Sequence, residues 1–191
     1  MTFTPFTQLN YSQIPGTELG ICQGTPSFNS IPRNQISGSV SALASGVASI
    51  ETVEVPAGYN VTRLGFMAGG TAAVTPAHWW LALINPATLT VLGATPDQGA
   101  AAIAAFSIND LFMSAPAVAP GNSAYLTQLW VALMVSAATV PTCEGNALTG
   151  IATTPPIVAG VYGAALTTPP AVGSTVATPT SPSARFLCWA H

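Results

Sequence analysis

Lysine is absent from this chain. Its three basic residues are Arg33, Arg63 and Arg185, set against six acidic ones in 191 residues. Without lysine there is no P-loop, no Schiff base and no lysine general base. Three scattered arginines and a net charge of -3 offer no basic patch to a phosphate backbone, which excludes direct nucleic-acid binding. Histidine occurs only as His78 and His191, too few nitrogens for a metal site with recognised ligand spacing. The cysteines, Cys22, Cys143 and Cys188, are odd in number and far apart, which predicts small buried hydrophobes and not a disulfide framework. No metal and no cofactor is expected. Charged residues make up 5% of the chain, where an ordinary soluble domain carries about 25%. A folded chain of this mass exposes about 8,500 Å², roughly 900 Å² for each charge, a surface poorly defended against association.

Long spanning segments are also lacking, although 49% of the residues are hydrophobic and mean hydropathy is +0.51. The best candidate, Ala124–Val140, is 17 residues long, includes Thr127 and Gln128, and is closed by Pro141. It sits at the lower limit of a membrane-spanning helix and has no flanking basic cluster, so no membrane role is expected. Met1–Phe6 has neither the basic start nor the apolar core of a leader, which predicts folding in a cytoplasm.

What is present reads as β structure. Segments near Ser39–Leu43, Ser49–Val55, Val61–Ala68, His78–Ile84, Leu89–Ala94, Ala105–Met113, Ala124–Ser136 and Arg185–Ala190 are β-rich and separated by turns such as Pro56-Ala57-Gly58, Gly69-Gly70, Asn85-Pro86 and Pro120-Gly121-Asn122. They predict an all-β fold, an antiparallel β-sandwich of about eight strands, jelly-roll-like. Only Asp97–Ala105, rich in alanine, suggests a helical turn. His78–Ile84 and Leu129–Val135 are apolar on both alternating faces, so each needs cover on two sides, from an arm, a loop or another subunit.

The domain is expected to occupy residues 39–191, with a Gly/Ala/Thr/Pro-rich excursion at 145–184 in which Thr-Thr-Pro-Pro occurs at Thr153 and again at Thr167. Residues 1–38, punctuated by Pro5, Pro15, Pro26 and Pro32, are expected to form an extended N-terminal arm. Its apolar side chains Phe3, Phe6, Tyr11 and Ile14 are the expected partner contacts, and removing residues 1–35 is expected to leave the domain folded.

Catalytic signatures are wanting. Glu51 and Glu54, three apart on a strand, face opposite ways and are expected to keep a sheet edge or face soluble. Asp97, Asp110 and Glu144 would suit a hydrolase if they converged, but surface or turn positions are expected. Gly121-Asn122-Ser123-Ala124-Tyr125 breaks the nucleophile-elbow pattern at its last position. Trp79, Trp80, Trp130 and Trp189 lie in apolar runs and are expected to pack in the core, with a sugar-stacking platform as the rival.

Pro56-Ala57-Gly58, Val61-Thr62-Arg63-Leu64, the run Gly69-Gly70-Thr71 through Pro76-Ala77-His78-Trp79-Trp80 to Leu83, Ala94-Thr95-Pro96-Asp97-Gln98-Gly99 and Ala137–Thr142 resemble the β-sandwich virion proteins of actinobacterial tailed phages and prophages. The likeness covers Ser39–Thr142, and the strand Arg185–His191 looks similar too. It implies a role and no site residue: a non-enzymatic structural protein of a bacteriophage virion. A capsid decoration protein that stabilises the head is preferred, because no long fibre shaft is present. Its partners would be copies of itself, as a homotrimer around a symmetry axis, and the major capsid protein or tail proteins. The alternatives are a tail-associated protein, or a host-receptor or carbohydrate-binding virion module using Trp79, Trp80 or Tyr59.

Overall fold

Period-two patterning broken by glycine and proline turns gives strands along the whole described chain, which in this computed structural model comprises residues 17–19, 26–32, 35–121, 125–147, 159–180 and 184–191. In chain order these are β1 (Thr17–Leu19), β2 (Pro26–Asn29), β3 (Gly38–Val40), β4 (Ala48–Pro56), β5 (Asn60–Met67), β6 (Val74–Asn85) and β7 (Thr90–Ala94). There follow β8 (Ile108–Val118), β9 (Leu126–Thr139), β10 (Cys143–Ala147), β11 (Ala159–Tyr162), β12 (Ala184–Phe186) and β13 (Cys188–Ala190). The pairings between them are antiparallel. They form a five-stranded sheet in the order β1-β2-β13-β5-β8, a three-stranded sheet β12-β10-β3, and a second five-stranded sheet β11-β4-β9-β6-β7. Among the described residues no helix is long and apolar enough to cross a membrane.

The sheets pack around a core built by alternation. Val53 and Val55 of β4, Trp79, Leu81 and Leu83 of β6, and Leu129, Val131, Leu133 and Val135 of β9 meet Leu64 and Phe66 of β5, Phe28 of β2 and Phe186 of β12. Each fully buried side chain of this size contributes roughly 1.5–3 kcal/mol. Phe28 is wholly buried, β2 pairs with β13 and β1 pairs with β2, so the stretch expected to be an arm as far as residue 38 already contributes two strands to the sheet, from Thr17 and from Pro26. Removing residues 1–35 would therefore strip two strands, β1 and β2, and a core phenylalanine from the domain. Phe3, Phe6, Tyr11 and Ile14 lie outside the described residues, as do Cys22 and Arg33.

The other faces of β6 and β9 form a second apolar cluster: Trp80, Ala82 and Ile84 with Trp130, Ala132 and Met134, joined by Ala48, Ile50 and Tyr162. Its cover comes from the chain itself. Residues 159–180 cross the outside of this sheet as a strap, with Leu166 and Val176 packed on the cluster. Val161 and Thr180 exchange backbone hydrogen bonds, both 2.9 Å, along the free side of β11. At the opposite edge Gly173 donates to the carbonyl of Val91, Val91 to that of Ser174 and Val176 to that of Leu89. The strap thus satisfies both outer strands, which would otherwise present unpaired backbone to other chains.

Asp97–Ala105 is not helical. The Asp97 carboxylate accepts the Gly99 N–H at 2.9 Å, and Gly99 takes a left-handed φ of 56°. Such a local side-chain bond diverts the backbone from helix in spite of the alanines.

Candidate interaction surface

Alternation fixes what the β1-β2-β13-β5-β8 sheet shows to the outside. In β13, Cys188 and Ala190 face the core, so Trp189 faces out; in β5 the same holds for Arg63, Gly65 and Met67 about Leu64 and Phe66. The register sets Trp189 beside Gly65, Gly65 beside Asp110, Arg63 beside Phe112 and Met67 beside Ile108. Gly65 is required here, since a Cβ at this position would collide with the Trp189 indole lying across it.

Asp110 is the hub of this face, its side chain only 8% exposed. The Trp189 Nε1–H donates to Asp110 Oδ1 at 3.1 Å, and His191 Nε2 lies 3.0 Å from the same oxygen. Arg63 Nη2 is 2.8 Å from Oδ2. Burial opposes the charge on Asp110, but the hydrogen bonds from His191 and Trp189, helped by the Arg63 guanidinium, outweigh it and hold the carboxyl below the ordinary range. Arg63 also lies over the Phe112 ring, 4.0 Å from its centroid, a cation–π contact.

Beyond this network the edge turns apolar. Phe106 and Phe112 are each 65% exposed and Ile108 is 48% exposed. Phe106 holds a left-handed φ of 54°, with its N–H bonded to the Gly69 carbonyl at 2.8 Å and its ring beside Gly70. A phenylalanine kept in a conformation that suits glycine, with most of its ring in solvent, is a strained placement of the kind found at functional surfaces. Val118, Tyr125 and Leu126 are exposed as well, around the β4–β5 turn, where Ala57 N–H donates to the Tyr125 carbonyl.

The expected acidic candidates do not converge on one site. Asp97 sits in a turn 2.6 Å from His78 Nδ1 and accepts the N–H groups of Trp79 and Gly99. Burial opposes its charge slightly, and these hydrogen bonds overcome it and lower its pKa. Glu144, on β10, accepts from the Ser39 hydroxyl at 2.8 Å. Asp110 belongs to the network above and not to an open surface or turn.

Glu51 departs most from expectation. It does not solubilise a surface: it is fully buried between the layers, where Oε2 receives Arg185 Nε–H at 2.9 Å and Oε1 receives the Phe186 N–H at 3.1 Å. Arg185 also reaches the Ser30 carbonyl at 2.9 Å, so one clasp ties β4, β12 and the end of β2. Burial pushes Glu51 up to about 8 against the pull of Arg185. Burial likewise raises Cys143 and Cys188, leaving two inert thiols. Among the described residues no group of three His, Cys, Asp or Glu is placed to hold a metal ion.

Of the surface just described, Phe106, Ile108 and Phe112 were not singled out by sequence reasoning. The alternation Ile108-Asp110-Phe112 was the available signal, but it does not reveal which face meets the core. All four tryptophans are buried, Trp189 the most exposed of them at 7%. No family model, no curated protein and no solved structure matches this chain.

Proposed function

We propose that this chain is a non-enzymatic structural protein of a bacteriophage virion: a capsid decoration protein that binds the major capsid protein, stabilises the head and assembles as a homotrimer in the bacterial host cytoplasm. The observation that carries this reading is the exposed run Phe106, Ile108 and Phe112 along the β8 edge of a chain with nine charged residues, three basic and six acidic. A freely dissolved protein gains nothing from strained, solvent-exposed phenyl rings, whereas a subunit buries them permanently against a neighbour. The family likeness of Ser39–Thr142 points the same way. Jelly-roll-like wiring remains part of the proposal, supported by the passage of consecutive strands β4, β5 and β6 from one five-stranded sheet to the other and back. Phe3, Phe6, Tyr11 and Ile14 are proposed as further partner contacts. Carbohydrate binding is the weaker reading, because Trp79 and Trp80 are buried and Tyr59 packs edge-on against Phe28 with ring centroids 4.9 Å apart.

The test is to purify particles of the encoding phage or prophage and locate the chain in a density map. Sandwich-shaped density at fixed stoichiometry on the head is expected. Density on the tail would replace decoration by a tail role, and particles without the chain would overturn the virion reading.

A further inference from the structure

Cys143 and Cys188 lie far apart in sequence and on strands of different sheets, β10 and β13, yet β5 brings them together. Cys188 pairs with Phe66, and an isolated bridge sets Cys143 beside Ala68, two residues further along β5. Both lie on the same edge of β5. The N–H groups of Met67 and Gly69, which alternation points to one side, donate to the carbonyls of Leu187 at 3.3 Å and Thr142 at 2.7 Å. The corner is closed by the Leu187 N–H, which donates to the Glu144 carbonyl at 2.7 Å and so continues the antiparallel β10–β12 register. The next residues of the two strands beyond this bonded pair are Cys188 and Cys143. Two residues of strand rise put their Cα atoms about 6.6 Å apart, within the roughly 4.4–6.8 Å that a disulfide spans. Residues paired across strands share a face, and Phe66, Ala68, Cys143 and Cys188 all belong to the core. The two thiols therefore point the same way. Burial does most to raise the Cys188 thiol, and Cys143 is itself among the groups that raise it. Both thiols are free in the structure.

The geometry points to a modification site: Cys143 and Cys188 form an intrachain disulfide when the chain folds in the presence of a low-molecular-weight disulfide as oxidant. One cysteine thiolate attacks the small disulfide, forming a mixed disulfide and releasing one small thiol. The other cysteine thiolate then attacks the protein sulfur of that mixed disulfide, forming the Sγ–Sγ bond and releasing the second small thiol. The two protons given up by the cysteines end on the two released thiols, and two electrons pass from the protein to the oxidant. Once folded, the chain is inert to such reagents, because both thiols are wholly buried and hold their protons. The bond is made while the corner between β10 and β13 is still open, and folding then shields it from reduction. The loop it closes, about 45 residues, carries β11, β12 and the strap, so the cross-link restrains the segment that covers the second apolar cluster. The inference is independent of the virion reading, since it concerns the isolated subunit.

The experiment refolds the full chain from denaturant with oxidised glutathione and, in parallel, with reduced dithiothreitol. Intact mass is read on both samples, and peptic digestion in acid, which halts exchange, maps the linkage. The expected result is an internal loss of two hydrogens and a peptide pair joining Cys143 to Cys188, with Cys22 in neither. The cross-linked chain should keep the near-ultraviolet ellipticity of the reduced one and melt higher by roughly 5–15 °C. A chain that refolds with both thiols free, or with each capped by glutathione, overturns the proposal. So does one that joins either cysteine to Cys22 in place of the other. An internal Cys143–Cys188 bond that lowers the melting temperature overturns it as well, since the bond would then span a gap that the native register does not close.

Discussion

At the scale of single residues, Glu51 and Gly65 bear the clearest consequences. Burial moves the Glu51 carboxyl from 4.5 to about 8, so the folded protein keeps a proton that the unfolded chain has already released. Stability from this group is therefore fully present below pH 4.5 and is lost as pH rises from about 4.5 to about 8. Asp97 and Asp110 work in the opposite sense and in another window: both lie below the ordinary 3.8, so their contribution is present at neutral pH and is lost on acidification below that value. Thermal melts should show Tm falling between pH 5 and 8.5, and Glu51→Gln should flatten the slope. A wild-type Tm that stays level or climbs over that interval contradicts the assignment. Glu51→Ala is expected to be worse at every pH, by about 3–5 kcal/mol, because it strands the Arg185 guanidinium. Gly65→Ala should cost about 1–3 kcal/mol by lifting the indole of Trp189 from Asp110, and loss of near-ultraviolet ellipticity would report it.

Among the elements, the strap at 159–180 settles how strands apolar on both faces are accommodated. Leu166→Ser together with Val176→Ser should uncover the Trp80 and Trp130 cluster and loosen both sheet edges. The expected outcome is a loss of about 2–4 kcal/mol and light scattering that grows with concentration; a monodisperse variant with wild-type Tm would show the strap to be dispensable. The need for this cover was legible in His78–Ile84 and Leu129–Val135, because alternation leaves neither face polar. Its source was not, since the run Thr167–Thr180 has no period and is held mainly by backbone bonds to Val91, Leu89 and Val161. Glu51 shows the same limit. Alternation already placed it on one face with Val53 and Val55, yet its partner Arg185 lies 134 residues away, a separation that no local pattern can announce. The arm boundary was misplaced for a related reason: Pro26 is compatible with an edge or strand-initial position, and the strand that receives β2 comes from the far end of the chain.

For the whole molecule, the composition predicts association and the β8 edge supplies a place for it. Each exposed phenyl of Phe106 and Phe112 offers about 130 Å², and with Ile108 the patch approaches about 350 Å², less than the roughly 800 Å² per partner of a stable interface. A trimer of the proposed kind must therefore recruit more surface, for which the exposed Val118, Tyr125 and Leu126 are apolar candidates. Phe106 separates folding from assembly. Its φ of 54° is unfavourable for any side chain and natural for glycine, so Phe106→Gly should stabilise the isolated subunit by up to about 1 kcal/mol. The same change removes an exposed anchor and should weaken self-association or particle occupancy at least tenfold, as should Phe112→Ser, which carries no backbone effect. Sedimentation velocity beside thermal melting measures the two quantities on the same samples. A Phe106→Gly chain that melts higher yet assembles less shows that strain is retained for contact. If it melts lower, the ring serves its own fold through Gly70, and if assembly is untouched, the β8 edge is not where the subunits meet.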